Sequence, residues 1–187
     1  MAIAIEIDDA EFTGWESVEV MRSMENFSGS FTIEAAPLDL TDPAPQAATK
    51  TLAEWPAKIG SSVRILVNQE SVLTGYIESI KIDYGASPDS HMFTITGRDK
   101  TADIIDSTCE IFTLTAPTSL EKIAREILKL LGITDIKIIT QEGLTIDPFQ
   151  ATDIVSFPYG TSYFDILEEY AHKRQVLVTT DRDGNIL

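Results

Sequence analysis

Through its first hundred residues this chain alternates apolar and polar side chains in short runs, and a period of two is the signature of strands with one buried face. Ile3, Ile5 and Ile7 alternate with Ala4 and Glu6, and Asp8-Asp9 ends the run. After a turn at Thr13-Gly14, Val18 and Val20 alternate with Ser17, Glu19 and Met21. Ser28-Gly29 marks a turn or bulge before Ser30-Phe31-Thr32-Ile33-Glu34 resumes the pattern. Strand character returns at Val63-Arg64-Ile65-Leu66-Val67, turns at Asn68-Gln69-Glu70 and continues from Val72 to Asp83, with Gly75 as a bulge or bend. Tyr84 to Ser90 then turns the chain, and His91 to Thr96 runs back. Pro37 to Pro56, with four prolines, is a long loop. Six strands at this spacing leave little room for crossover helices. The sheet they form is therefore antiparallel, and closure as a barrel or sandwich limits its open edges.

The texture changes near Ser107. Asp99, after Gly97-Arg98, is placed to cap a short helix that reaches Asp106. Thr118-Ser119-Leu120-Glu121 has the capping-box pattern, and Leu120, Ile123, Ala124, Ile127, Leu128 and Leu131 share one face of the helix that follows. Gly132 stops that helix, and Ile133 to Ile139 reads as a strand. A second helix from about Ser162 to Arg174 has Phe164, Leu167, Tyr170 and Ala171 on its apolar side, with a strand at Val176–Thr180. The two units match at a constant offset of 43: Thr118-Ser119, Ile123, Ile127 and Ile133 correspond to Thr161-Ser162, Ile166, Tyr170 and Val176. The expected class is α+β and β-rich. An antiparallel β-barrel domain over residues 1–106 precedes a small helix–strand α/β domain over residues 107–187.

With 187 residues and 43% hydrophobic content, the chain can bury a sizeable core. No run of ~18 apolar residues is present to span a bilayer as a helix. Met1-Ala2-Ile3-Ala4-Ile5-Glu6 lacks the basic start of a signal peptide, so folding in the cytoplasm is expected. Net charge is −16, and residues 1–60 carry eleven acids against three bases. That balance opposes a primary grip on nucleic acid, which relies on Lys and Arg.

Little in the sequence points to catalysis. Phosphate-binding glycine loops and the motifs HExxH, GxSxG and CxxC are missing. Cys109 is the single cysteine, with Glu110 beside it to disfavour a thiolate, and is expected to be structural. His172, in the last turns of the second helix, suits a helix C-terminus, and His91 opens a strand at the surface. Asp181-Arg182-Asp183-Gly184-Asn185 has oxygen donors at alternate positions, like the start of a calcium loop. Its glycine comes two places too early, and a hairpin turn before Ile186-Leu187 explains it better. Asp8-Asp9 and Glu168-Glu169 read as solvated ends or faces. No catalytic, cofactor-binding or metal-ligating residue is singled out, no cofactor is expected, and the protein is expected not to be an enzyme.

Several segments carry a resemblance. They are Trp15-Glu16-Ser17-Val18-Glu19-Val20, Met21-Arg22-Ser23-Met24-Glu25, Ser28-Gly29-Ser30-Phe31, Trp55-Pro56-Ala57-Lys58-Ile59-Gly60 and Thr74-Gly75-Tyr76-Ile77. The most specific is Gly97-Arg98-Asp99-Lys100-Thr101-Ala102-Asp103-Ile104-Ile105-Asp106. Leu120-Glu121-Lys122-Ile123-Ala124 and Val178-Thr179-Thr180-Asp181-Arg182-Asp183-Gly184-Asn185 complete the set. Together, in this order, they resemble the baseplate hub proteins of Mu-like contractile-tailed phages, relatives of the late-control D proteins. The resemblance implies a structural protein of the virion or of a prophage particle, assembled in the host cytoplasm. It further implies a homotrimeric ring whose partners are the tail tube protein, the central spike protein and other baseplate proteins. DNA would pass through such a ring without specific binding, and no membrane insertion is implied. Members of that family are about twice as long, so the chain is expected to be a fragment. A tail-associated module that binds or hydrolyses cell wall is the competing expectation, since acids are abundant.

Overall fold

The structure, a computed structural model, describes residues 2–24, 26–35, 57–83, 92–114, 118–150, 152–153 and 155–187. The expected Pro37–Pro56 loop, the Tyr84–Ser90 turn and His91 lie outside the described residues. The chain divides into two compact units. The first comprises Met1–Ser23 and Gly29–Asp99; the second comprises Met24–Ser28 and Lys100–Leu187. The change of texture read at Ser107 falls inside the second unit.

The first unit is a seven-stranded antiparallel sheet: β1 (Ile3–Ile7), β2 (Ala10–Glu11), β3 (Trp15–Met21), β4 (Ser30–Ala35), β5 (Ser62–Val67), β6 (Glu70–Asp83) and β7 (Met92–Asp99). Their spatial order is β2-β1-β5-β6-β7-β4-β3. The expected antiparallel, β-rich architecture is borne out as a half-barrel, a curled sheet in which, among the described residues, β2 and β3 are the edges and do not pair with each other. Alternation translates directly into burial. Ile5, Ile7, Phe31, Ile33, Val63, Ile65, Leu73, Ile77, Phe93 and Ile95 form one buried face. Cross-strand pairing aligns Val18, Ile33, Ile95 and Ile80 in one row, and Glu19, Thr32, Thr96 and Ser79 in a polar row on the other face.

Two hairpins depend on unusual backbone. Asp8 and Asp9 have φ of 49° and 63°, and Asn68 and Gln69 have 51° and 70°, which is the I′ geometry of a two-residue β-turn. Asp and Asn tolerate that region better than most residues. Asp8 is held further by its side chain, which accepts from the Ser61 hydroxyl at 2.7 Å, the Ser62 amide at 2.9 Å and the Ser62 hydroxyl at 3.2 Å. The Ser61 hydroxyl, then the Ser62 amide, lower the pKa of this carboxyl below its ordinary value. A carboxyl whose pKa is depressed by folding stabilises the protein above its unfolded pKa, and that contribution disappears as pH falls through the folded value. Asp8→Asn is therefore expected to lower the melting temperature at pH 6, with the gap from wild type narrowing below about pH 4. Melting curves of both proteins between pH 3 and 7 check this.

Gly75 is not a bulge. It sits in regular register opposite Val63 and Asp99, and the irregularities of β6 fall to either side, between Ser71 and Leu73 and between Ile77 and Ser79. A glycine is needed there because the neighbouring strand passes too close: a Cβ would lie 2.7 Å from Asp99 Cα and from the Arg98 carbonyl carbon.

The second unit packs α1 (Ala102–Asp106), α2 (Leu120–Leu131) and α3 (Tyr163–Lys173) with a two-stranded sheet of β8 (Phe112–Leu114) and β9 (Val155–Phe157). Its core contains Ile104, Ile123, Ile127, Val155, Phe157, Ile166, Leu167 and Tyr170. Phe27, from the short Met24–Ser28 segment, joins that core and stacks on Phe164 with ring centroids 4.7 Å apart. The helical halves repeat as their sequences do. Ser119 caps α2 by accepting from the Lys122 amide, and Ser162 caps α3 by accepting from the Asp165 amide. The α2 cap is thus Ser119, and Thr118 instead pairs by its backbone with Phe149. Gly132, at φ 71°, closes α2 in the left-handed region.

The two strands expected after these helices form only isolated bridges. Ile138 and Thr180 each bridge to Ile186, the first in parallel and the second antiparallel. Ile186 therefore serves both segments, each through a single bridge. β8 and β9 were not anticipated; three residues are too few to display a period. Tyr170 stands in for a further neighbour of β9, accepting from the Ser156 amide at 2.9 Å and donating to the Ser156 carbonyl at 3.3 Å.

Candidate functional site

The residues weighed for chemistry have structural work. Cys109 is 2% exposed, and its thiol donates to the Pro158 carbonyl at 2.8 Å. Burial pushes the thiol pKa up, away from the reactive thiolate. His172 lies in the last turn of α3, as its position implied. With Asp165, Glu168, Glu169 and Lys173 it lines an open depression along that helix. These carboxylates come from a single exposed helical face, and Lys173 pairs with Glu169. A glycosidase needs acids from opposing walls. Among the described residues, no group of three or more His, Cys, Asp or Glu side chains is arranged to hold a metal ion.

Asp181 explains the donor-rich segment near the last residues. Its Oδ1 accepts from the Asp183 and Asn185 amides at 2.9 and 2.8 Å, and its Oδ2 accepts from Asn185 Nδ2 at 2.9 Å. Thr179 and Leu187 exchange backbone hydrogen bonds across the turn. The carboxylate is committed to holding a hairpin-like reversal, with Gly184 at φ 75°.

Asp99 has a role that sequence reasoning missed. The N-cap of α1 is Thr101, without a side-chain cap bond, so Asp99 does not cap that helix. It ends β7 and is 3% exposed. Its carboxylate accepts from the Gly29 amide at 2.7 Å, while its own amide donates to the Gly29 carbonyl at 2.9 Å. Two distant segments, both at points where the chain leaves or re-enters the first unit, are thereby locked together. Arg98, the residue before Asp99, pairs with Glu78 on β6. Replacing Asp99 by Ala leaves a charge-assisted bond unmade and should cost about 2–3 kcal/mol, whereas Asp99→Asn, which keeps an acceptor, should cost less than half of that. Urea denaturation of the two variants separates these outcomes.

Among the described residues, the two outer strands of the sheet each have one side without a neighbouring strand. β2, one edge, has two residues, with exposed Asp9 and Glu11 at or beside it. β3, the other edge, has seven, with exposed Glu16 and Glu19. A long edge strand presents unpaired backbone donors and acceptors, the usual template for assembly between chains. A curled antiparallel sheet with one such edge, joined to a small helical unit, is the class of fold that this chain defines.

Comparison with known proteins identifies that class. Residues 2–99 match the family described as Mu phage baseplate assembly protein GpP-like, N-terminal, and residues 101–187 match baseplate hub protein gp44-like, second domain. The chain belongs to this family of Mu-type phage baseplate hub proteins, and is a tail-baseplate protein and thus virion-associated. Among individual relatives, it is 28% identical over 190 residues to the baseplate hub protein gp44 of Escherichia phage Mu, covering 99% of this chain and 45% of that one. The 43 kDa tail protein of prophage MuSo2 from Shewanella oneidensis has a similar structure, with a TM-score of 0.74 and 28% identity over 98% of this chain and 53% of that one. A tail protein from Neisseria meningitidis MC58 shares the fold at a TM-score of 0.69 and 16% identity, over 99% of this chain and 49% of that one. The chain thus spans about half the length of the relatives it matches.

Proposed function

We propose that this chain forms part of a ring-shaped baseplate hub, three copies around the tail axis, that joins the tail tube to the membrane-piercing spike of a contractile tail. The carrying observation is the succession of two matches, baseplate assembly protein followed by hub second domain, that together account for residues 2–99 and 101–187. A structural, non-enzymatic role fits the commitments of Cys109, Asp99 and Asp181, whose polar groups are occupied in holding the fold. The excess of acids, at −16 overall, suits a ring through which DNA passes without adhering. Assembly takes place in the host cytoplasm, before the particle is released.

Native mass spectrometry tests the reading on the chain alone and mixed with the tube and spike proteins of the same particle. The expected species contain three copies of this 20.6 kDa chain bound to tube or spike. A chain that remains a monomer in every mixture overturns the proposal.

A further inference from the structure

The open edge of β3 is incomplete in a way that describes its occupant. Three rows of side chains cross the buried face and end on this strand. Trp15 follows Ala35, Phe93 and Ile82; Val18 follows Ile33, Ile95 and Ile80; Val20 follows Phe31, Gly97 and Ile77. The inner members of these rows are largely buried, whereas Trp15, Val18 and Val20 are only half-buried against the core. On the opposite face, Glu19 ends a polar row, and Ser17 donates to Glu34 at 2.7 Å. The register shift between Trp15 and Ser17 leaves Glu16 without an opposite residue on β4. Among the described residues, the outer side of β3 has no strand beside it.

Charge then selects among partners. In the first unit Arg64 pairs with Glu6, Lys81 with Asp83 and Arg98 with Glu78. Glu16 and Glu19 have no ion-pair partner among the described residues, nor have Asp9 and Glu11 at the other edge. A second copy of this chain would set acids against acids, whether it offered its own β3 or its β2 edge, and like charges placed opposite each other destabilise a ladder. A strand bearing Lys or Arg reverses the sign of that contribution.

We propose that β3 docks an extended, basic segment of a different protein, which adds an eighth strand to the sheet. Its alternate apolar residues continue the Trp15, Val18 and Val20 rows. Its intervening Lys or Arg side chains lie beside Glu16, Glu19 and Glu34. Main-chain hydrogen bonds supply the grip and the charges supply the choice of partner. The inference rests on edge geometry and charge and is independent of the trimer.

Two nine-residue peptides serve as probes, one alternating Val with Lys and the other Val with Glu, added to the 187-residue protein in low salt. Backbone amide exchange is followed along the chain. The Lys peptide is expected to protect amides of Trp15–Met21, with about tenfold preference over the Glu peptide, and 0.5 M salt is expected to erode that preference. Glu16→Lys/Glu19→Lys, at exposed positions, is expected to reverse the preference. Equal protection by both peptides, or no protection by the Lys peptide, overturns the proposal. So does protection of β3 that rises with protein concentration alone, which would make a second copy the occupant.

Discussion

Gly97→Ala is expected to unfold the first unit or to weaken it by about 3 kcal/mol or more, among the larger effects a single methyl can have. The reason is space. A Cβ on Gly97 would lie 2.5 Å from Phe31 Cζ and 2.8 Å from Phe31 Cε1, and would also overlap the Tyr76 carbonyl oxygen. Phe31 is 2% exposed and belongs to the buried core of the sheet, so moving its ring disturbs that packing. The carbonyl belongs to β6, so relief requires β6 and β7 to separate at the middle of the sheet. A compensating Phe31→Leu removes only half of the conflict and should not restore stability. Gly75→Ala meets the same obstacle from the other side, through Arg98. Gly14→Ala is the control: nothing lies within 4 Å, and its φ of 90° alone should cost about 1 kcal/mol. Guanidinium denaturation followed by far-ultraviolet circular dichroism ranks the three variants. A Gly97→Ala protein as stable as the Gly14→Ala control would refute the close-approach argument.

Phe157→Ala should weaken the second unit by about 3–5 kcal/mol. Phe157 is 0% exposed, in a strand of only three residues whose other core member, Val155, is also fully buried. Removing the ring leaves a cavity that so short a strand cannot close by shifting, since the Tyr170 hydroxyl and the β8 pairing hold it on both sides. The two units have separate cores, so amides of α2 and α3 should lose exchange protection before those of β5 to β7. Simultaneous loss across both units would show that they unfold as one.

Much of the fold is legible because burial acts locally. Each alternating apolar residue in β1, β4, β5 and β7 gains free energy only on one face, and the strand's own geometry sends every second side chain there. Helices α2 and α3 are equally readable, down to paired caps at Ser119 and Ser162, since capping is settled within a turn. Asp99 shows the limit. Its neighbours in sequence suggest a cap, and its actual partner is Gly29, seventy residues away. The expected strands at 133–139 and 176–180 are reduced to single bridges for a related reason: their alternation is present, but a ladder depends on a partner elsewhere in the chain, and both segments bridge to the same residue, Ile186. For the proposed docking edge, the acids are visible in the sequence, but their positions on the outer strands are not.

By itself the sequence determined the β-rich class, the two textures, the amphipathic helices and the sign of the charge, each set by residues within a few positions of one another. It also carried enough ordered motifs to place the chain among baseplate hub proteins. Only the tertiary structure decided that the sheet curls without pairing its two ends, that Phe27 leaves the strands around it for the second core, and that Gly75 and Gly97 sit where backbones nearly touch. Each of those depends on which strands become neighbours. Pairing is a non-local choice, made by the sum of many rows across the sheet, and no single run of residues records it.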